Sequence, residues 1–199
     1  KNKNIRLFND KPMISFAIEV ALASNLFEHI VVSTDNLNIK EISEECGAEV
    51  PFMRPDYLSD DYSNTQSVLC HGISECENLG WDFSFVCCIY PCVPLLREKD
   101  IIKGFDLVNS SIDSFVFPIS ELNSNPQRSL ELKKNDKVYS AFPNFEKERN
   151  QDLKKTFFDV GQFYWGHKEL WKTSKSIHNY AKGMVMPKWR AVDIDTEED

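Results

Sequence analysis

One short apolar stretch decides the fold: FSFVCCIY, residues 83–90. An amphipathic helical pattern precedes it over residues 63–80, with Ser63 or Asn64 as the N-cap, and a second one follows over residues 98–111. A continuous apolar strand between two amphipathic helices is typical of a parallel sheet that helices cover on both faces.

The same alternation of strand and helix extends to both sides of this stretch. The predicted helices are KPMISFAIEVALASN (11–25) and NLNIKEISEECG (36–47), and the predicted strands are HIVVSTD (29–35), AEVPFMRP (48–55) and SFVFPIS (114–120). We therefore predict a single α/β domain over residues 1–199, with a mostly parallel sheet flanked by helices. Such a sheet needs an initiating strand ahead of its first helix, so we expect an N-terminal strand before Lys1.

The pattern changes after residue 120. Residues 129–142, SLELKKNDKVYSAF, alternate apolar and polar side chains around Asn135 and Asp136, which predicts a β-hairpin. A polar connection follows over residues 143–156. Beyond it we predict a strand, a short helix and a last strand, namely GQFYWG (161–166), KELWKT (168–173) and AVDID (191–195).

Composition excludes several classes of partner. The chain carries 31 acidic against 23 basic side chains, a formal charge of -8, and its basic residues form no stripe. We therefore expect neither nucleic acid nor an acidic membrane surface as a partner. No stretch approaches the roughly 20 apolar residues that span a bilayer, and no signal peptide opens the chain, so we expect no membrane association.

The cysteines indicate the cellular compartment. The six of them form no CxxC pair and no zinc-type spacing with histidine, and Cys87 and Cys88 lie inside the apolar stretch. Free cysteine in such a place behaves as a small hydrophobic residue. We therefore expect reduced thiols and a cytoplasmic protein.

Two acidic residues near the end of the chain are a candidate metal site. In AVDIDTEED, residues 191–199, Asp193 and Asp195 stand one residue apart, and on a strand such residues point to the same face. Two like charges repel unless a cation lies between them, and Mg²⁺ is usually held by one or two carboxylates plus substrate phosphates. The alternative is a solvated acidic strand end.

The predicted sheet also places the ligand site. In an open parallel sheet this site lies at the carboxyl ends of the strands. The rule selects residues 33–35, Arg54, residues 90–94 and residues 193–195, which we expect to face one crevice.

Seven segments along the chain stand in an informative order. They are KNKNIRLFNDKPMI (1–14), VVSTD (31–35), EVPFMRPDYLSDDYSNT (49–65), YPCVPLL (90–96), NPQRSL (125–130), DVGQFYWG (159–166) and VDIDTEED (192–199). Together they resemble the CMP-sugar synthetases, or acylneuraminate cytidylyltransferases, which have a Rossmann-like nucleotidyltransferase fold. YPCVPLL and VGQFYW look more like the pseudaminic acid cytidylyltransferases than the sialic acid enzymes. The family also opens with a strand and a basic glycine-containing loop, which we expect before Lys1.

The resemblance implies a reaction. CTP and a 2-keto sugar acid would give a CMP-sugar and pyrophosphate, by in-line attack of the anomeric hydroxyl on the α-phosphate, with Mg²⁺ as the cofactor. The expected sugar is pseudaminic acid. Alternatives are a sialic acid or 3-deoxy-manno-octulosonate synthetase, or a non-catalytic nucleotide-binding module.

The resemblance also implies site residues at both ends of the chain. Asp193 and Asp195 match the family's metal-site pair, so we expect Asp195 to ligate Mg²⁺ while Asp193 supports the metal or acts as the base. Lys3 and Asn4 match a Lys–Asn pair that contacts the nucleotide.

Two further residues match nucleotide-contacting positions of the family. Arg54 matches an arginine beside the cytosine, whose carbonyl oxygen and ring nitrogen suit a planar donor fork; the alternative is a structural salt bridge. Thr65 matches a small hydroxyl residue near the nucleotide, and the alternative is a residue that only begins a helix.

The sugar-binding candidates are Tyr90, Arg128, Gln162 and Tyr164. A carboxylate substrate calls for a cation, and Arg128 can bind one through two parallel hydrogen bonds, although it can equally be a surface residue that starts the hairpin. Tyr164 is alternatively a core aromatic of its strand.

The resemblance finally implies a homodimer. In the family, an extension after the central strands crosses to the second subunit. Residues 123–157, which include the predicted hairpin, are its counterpart here.

Overall fold

A computed structural model describes residues 3–60, 62–173, 176–192 and 194. The helices are α1 (Met13–Ser24), α2 (Leu37–Glu45), α3 (Thr65–Asn78), α4 (Glu98–Asn109) and α5 (Lys168–Trp171). The strands are β1 (Leu7–Phe8), β2 (Lys11–Pro12), β3 (Phe85–Ile89), β4 (Phe115–Glu121), β5 (Leu130–Leu132), β6 (Val138–Ser140), β7 (Phe157–Asp159), β8 (Phe163–His167) and β9 (Ala181–Val185). Within this part of the chain no helix is long and apolar enough to cross a bilayer.

The helices follow their local sequence signals. The side chain of Asn36 accepts hydrogen bonds from the backbone N–H groups of Asn38 and Ile39 at the start of α2. Asn64 caps α3 in the same way by accepting from the N–H of Ser67, so Asn64 rather than Ser63 is the N-cap. These caps satisfy N–H groups that have no partner inside the helix, which is why the helices begin where the sequence predicts.

The α/β class is confirmed, but the prediction of a mostly parallel sheet is wrong. Strand β8 lies between β3 and β4 and pairs antiparallel with both of them. Strand β9 is parallel to β4, and β7 is antiparallel to it. Strands β3 and β4 do run in the same direction, as the intervening α4 predicts. The space between them is filled by a strand that returns from later in the chain, and no local pattern reveals its direction.

A bulge joins β7 and β8 along the same edge of β4. Val116 pairs with Trp165 in β8, whereas Ile119 pairs with Asp159 in β7. The register therefore slips by three residues, because residues 160–162 are extra on the β7–β8 side. Gly161 lies in this bulge with a φ of 69°, a backbone conformation that glycine adopts without strain.

Three predicted strands differ in the structure. The segments 29–35 and 48–55 are joined by a single parallel bridge between Val31 and Glu49, flanked by two backbone hydrogen bonds of 2.9 and 2.7 Å. The expected last strand, AVDID, is not a strand at Ala191 and Val192, and Asp193 and Asp195 lie outside the described residues. The last strand of the described chain is β9, AKGMV. Its lysine and glycine interrupt the run of apolar residues, so the apolar pattern does not predict this strand.

The hairpin is present where the sequence predicts it. Strands β5 and β6 pair antiparallel, and Asn135 and Asp136 between them both have positive φ, at 66° and 58°. Asparagine and aspartate tolerate this conformation better than other residues with a Cβ atom, which explains why they mark the turn.

Strand β8 contributes to two apolar clusters of the core, and a third cluster joins α1 to Ala48. In β8, Phe163 and Trp165 pack with residues of α1 and α4, whereas Tyr164 packs with residues of α3 and α5. The indole N–H of Trp165, which is 2% exposed, donates to the carbonyl of Ile101 at 3.1 Å. Because both faces of β8 are covered, its sequence reads as a continuous apolar run.

The contact between α4 and β8 leaves no room for a methyl group at Gly104. A Cβ there would lie 2.7 Å from Cδ1 of Trp165 and 2.9 Å from Cε2 of Phe163. We predict that Gly104→Ala lowers the free energy of unfolding by about 1–3 kcal/mol, measured by urea denaturation, since overpacking outweighs the gain in helix propensity.

Gly72→Ala in α3 is the matched control. Its Cβ would meet Cζ of Phe52 at 3.7 Å, an ordinary contact, so we expect this change to be neutral or to stabilise by up to about 1 kcal/mol. Equal effects of the two substitutions would contradict the packing of α4 on β8.

Candidate functional site

The larger of two neighbouring cavities opens beside the end of β3. Its volume is about 510 Å³, and it lies between residues 30–35 and residues 87–91, with α1 along its apolar side. Polar side chains gather at one end, which we call the polar mouth: Asp35, Arg54, Ser63, Thr65 and Tyr90. This is the end at which the strand β3 stops.

Arg54 is held at the polar mouth by its backbone and its side chain. Its N–H donates to the carbonyl of Thr34 at 2.8 Å, which continues the contact between the two irregular segments. Its Nε donates to Oγ of Ser59 at 3.1 Å, and Nη2 lies 3.5 Å from the carboxylate of Asp35. The structural salt bridge that was the alternative role for Arg54 is therefore present, as a long ion pair with Asp35. Within the described residues the other terminal nitrogen, Nη1, makes no hydrogen bond and is available to a ligand.

Thr65 and Tyr90 close the other side of the polar mouth. Thr65 is the first residue of α3, so it does begin a helix, and its Oγ1 lies 2.9 Å from the hydroxyl of Tyr90. Burial raises the pKa of Tyr90, which keeps the phenol protonated at neutral pH. The pair therefore presents neutral hydroxyl groups to the cavity.

A second, smaller cavity lies on the other side of Tyr90. Its volume is about 60 Å³, and Lys3, Gln162 and Val192 contribute to its lining together with Tyr90. Tyr90 is thus a wall shared by both cavities.

Gln162 presents an unsatisfied acceptor beside the smaller cavity. Its side chain is 2% exposed, and its Nε2 donates to the carbonyl of Arg190 at 2.8 Å. Its Oε1 is buried and has no hydrogen-bond partner among the described residues. A buried acceptor without a partner costs about 1–3 kcal/mol.

The first described residues bring the two ends of the chain together. Nζ of Lys3 donates to the carbonyl of Ile194 at 2.7 Å, and Asn4 lines the larger cavity. Ile194 stands between Asp193 and Asp195, which both lie outside the described residues. Elsewhere in the described chain, no group of three or more potential metal ligands is found.

Two predicted site residues do not line either cavity. Nη1 of Arg128 donates to the backbone carbonyl of Glu146 at 3.0 Å, so within one chain this arginine holds the hairpin segment together. Tyr164 is 6% exposed and lies behind Tyr90, with the two ring centroids 5.6 Å apart. Both residues therefore also satisfy the structural interpretation given for them from the sequence.

Sequence reasoning missed Asp159. Its Oδ2 accepts a hydrogen bond of 2.9 Å from the hydroxyl of Tyr164, and its Oδ1 accepts one of 2.9 Å from the N–H of Gly161. The signal was a single acid inside the apolar stretch FFDVGQFYW, residues 157–165. Such an acid is rarely buried without hydrogen-bond partners.

Comparison with known proteins shows the family to which the chain belongs. A family model described as a cytidylyltransferase matches residues 1–180. A pseudaminic acid cytidylyltransferase of Campylobacter jejuni is 36% identical over 199 residues, which cover 99% of this chain and 85% of the relative. An N-acylneuraminate cytidylyltransferase of Escherichia coli is 24% identical over 203 residues, which cover 100% of this chain and 46% of the relative.

A solved structure supports the same fold. A CMP:2-keto-3-deoxy-manno-octonic acid synthetase complexed with CTP matches with a TM-score of 0.64 at 12% identity, and the match covers 92% of this chain and 83% of that one. At this identity the likeness supports the fold alone. The family model and the Campylobacter relative confirm the resemblance found in the sequence, and the chain belongs to the cytidylyltransferase family, in which it is similar to the pseudaminic acid enzymes.

Proposed function

We propose that this protein joins CTP and pseudaminic acid to give CMP-pseudaminic acid and pyrophosphate. The observation that carries the proposal is the 36% identity with the Campylobacter pseudaminic acid enzyme over 99% of the chain. The geometry supports it, because a reaction between two substrates needs two adjoining sites, and two cavities here share Tyr90 as a wall.

The nucleotide is proposed to bind at the polar mouth. The free donors of Arg54 match the carbonyl oxygen and ring nitrogen of cytosine, since the guanidinium is planar and always charged. Asn4 and Thr65 add neutral polar groups on the same cavity, and Lys3, at the neighbouring cavity, supplies a cation for a phosphate.

The sugar acid is proposed to bind at the smaller cavity and to extend from it into solvent. Oε1 of Gln162 would accept a hydrogen bond from a sugar hydroxyl or amide, which removes the cost of its burial. Tyr90, between the two cavities, would contact both substrates. Catalysis then consists largely of holding the anomeric hydroxyl in line with the α-phosphate.

Mg²⁺ is proposed as the cofactor, with Asp193 and Asp195 as the residues that hold it. Val192 lines the smaller cavity and the carbonyl of Ile194 accepts from Lys3, so both neighbours of Asp193 lie beside the proposed substrates. Carboxylate oxygens are the protein ligands that Mg²⁺ prefers, and the ion would neutralise charge on the phosphates. In this proposal Asp195 ligates the ion, while Asp193 supports it or accepts the proton of the sugar hydroxyl.

A cytoplasmic location is also proposed. The described residues contain no disulfide, and burial raises the pKa of Cys88 to about 12 and that of Cys76 to about 11. Thiols with such a high pKa are almost wholly protonated at neutral pH and react slowly, which fits their place as small core residues. This chemistry suits a reducing compartment.

A pyrophosphate-release assay tests the reaction. With the protein produced from its complete reading frame, CTP and Mg²⁺, we predict release with pseudaminic acid and at least tenfold less with N-acetylneuraminic acid or 3-deoxy-manno-octulosonate. A preference for either of the other sugars would keep the reaction and overturn the proposed substrate. Binding of CTP without release in any reaction would favour the non-catalytic module.

The metal is tested in the same assay. We expect EDTA to abolish release and added Mg²⁺ to restore it, and we expect Asp195→Asn to abolish release without changing the far-UV circular dichroism. Retained turnover of Asp195→Asn in Mg²⁺ would remove Asp195 from the metal site.

The role of Arg54 is tested by a substitution that keeps its charge. Arg54→Lys removes the planar donor fork, so we predict that KM for CTP rises on the order of tenfold while KM for the sugar changes less than about twofold. Arg97→Lys, an exposed arginine that lines neither cavity, is the matched control and should leave both values unchanged. An unchanged KM for CTP in Arg54→Lys would leave Arg54 only its structural ion pair with Asp35.

A homodimer is proposed through the segment 123–157. One face of its hairpin exposes apolar side chains: Leu130 is 65% exposed, Leu132 73% and Val138 53%. An isolated two-stranded hairpin is marginally stable in water, so a second copy of the chain is the proposed cover for this face. Arg128, at the start of the same hairpin, would then lie close to the second copy.

Light scattering after size exclusion tests the dimer. We predict a dimer at micromolar concentration, and we expect Leu132→Asp to produce a monomer because it places a charge on the apolar face. Glu131→Gln, on the opposite face of β5, is the control and should remain dimeric. A wild-type monomer would reject the proposed interface.

A further inference from the structure

We infer that Asp159 is a positioning residue that holds the walls of both cavities in place, through Tyr164 on one side and through Gly161 on the other. Asp159 lines neither cavity itself. The inference rests on the proposed function for the identity of the two substrates, but the geometry behind it belongs to the chain alone.

The first contact of Asp159 leads to Tyr90. Its Oδ2 accepts the hydroxyl proton of Tyr164 at 2.9 Å, and the buried ring of Tyr164 lies against Tyr90 at an interplanar angle of 53°. Burial and the nearby carboxylate raise the pKa of Tyr164 well above its usual value, so the phenol stays protonated and remains a donor to Asp159. Tyr90 is thus held between Tyr164 and the hydroxyl of Thr65.

The second contact of Asp159 leads to Gln162. Its Oδ1 accepts from the N–H of Gly161 at 2.9 Å, which closes the tight turn of the bulge at a φ of 69°. Gln162 is the next residue, and its unsatisfied Oε1 is the acceptor proposed for the sugar. The two oxygens of a single carboxylate therefore act on two different parts of the smaller cavity: Oδ2 on Tyr90 through Tyr164, and Oδ1 on Gln162 through Gly161.

His178 anchors the carboxylate from a third direction. Its Nε2 lies 2.9 Å from Oδ2 of Asp159, and its side chain is 65% exposed, so solvent and the imidazole both reduce the cost of keeping this charge only 22% exposed. A carboxylate that served only to join β7 to β8 would need one of these contacts. All three together fix its orientation, which a positioning role requires.

Kinetics of three variants test the inference. Asp159→Asn keeps an acceptor for Gly161 but turns its amide donor towards the hydroxyl of Tyr164, and Tyr164→Phe removes that hydroxyl alone. We expect each change to raise KM for the sugar on the order of tenfold and KM for CTP by a smaller factor, because Tyr90 lines both cavities. Since both act through one hydrogen bond, the double variant should match the single ones rather than multiply their effects. Asp106→Asn, an exposed acid on α4, is the control that changes neither value.

Nuclear magnetic resonance of ¹³C-tyrosine tests the same contact without turnover. The signal of Tyr90, assigned by its loss in Tyr90→Phe, should shift in Asp159→Asn, whereas that of the exposed Tyr62 should not. If the wild-type protein releases no pyrophosphate, the proposed function fails while this shift still supports the positioning role. An unchanged Tyr90 signal, or lower thermal stability with unchanged KM for the sugar, would overturn the inference.

Discussion

The insertion of β8 between β3 and β4 is the constraint on which the rest of the structure depends. The strand is packed closely on both faces: a Cβ at Gly166 would lie 2.8 Å from the ring of Phe115, and one at Gly104 would lie 2.7 Å from Trp165. Interiors packed at this density transmit displacement rather than absorb it. The position of β8 therefore fixes where its first residues, and the bulge ahead of them, can lie.

The bulge converts this packing into a site. Because β7 and β8 both pair with β4 but in registers three residues apart, residues 160–162 form a bulge, in which the N–H of Val160 still donates to the carbonyl of Pro118 and the carbonyl of Gln162 accepts from the N–H of Tyr90. The bulge places Gln162 beside Tyr90, the last residue of the central apolar stretch, so that a core strand and a bulge line the same small cavity. Bulges commonly redirect a side chain next to a functional site in this way.

Two of the buried polar groups without a hydrogen-bond partner in the described chain lie beside this site, and others, such as Oγ of Ser15 and Nδ1 of His71, lie elsewhere. Oε1 of Gln162 and Nε of Arg190 are both buried without a hydrogen-bond partner in the described chain, although the two residues are neighbours through the bond from Gln162 to the Arg190 carbonyl. The guanidinium of Arg190 is otherwise held by the carboxylate of Asp100, with one bond of 3.1 Å. Local violations of full hydrogen bonding are expected where binding a ligand completes the set.

The sequence by itself determined the features that depend on neighbouring residues. Helices α1 to α4, the hairpin turn at Asn135 and the α/β class follow from spacing and turn residues within about fifteen residues, and the sequence narrowed the N-cap of α3 to Ser63 or Asn64. The family also followed from the sequence, because short motifs stand in a characteristic order along the chain. These features can be predicted without knowledge of the fold, since helix propensity and capping depend only on neighbouring residues.

Only the tertiary structure decided which distant segments meet. Four features depend on residues that are far apart in the sequence. They are the direction of β8, the pairing of β9, the contact of Lys3 with Ile194 and the hydrogen bond between Asp159 and Tyr164. Apolar alternation shows that a strand is buried but not which neighbour it has or in which direction it runs. Strand order is set by the best total packing of the whole chain, and that is a property no single stretch of sequence contains.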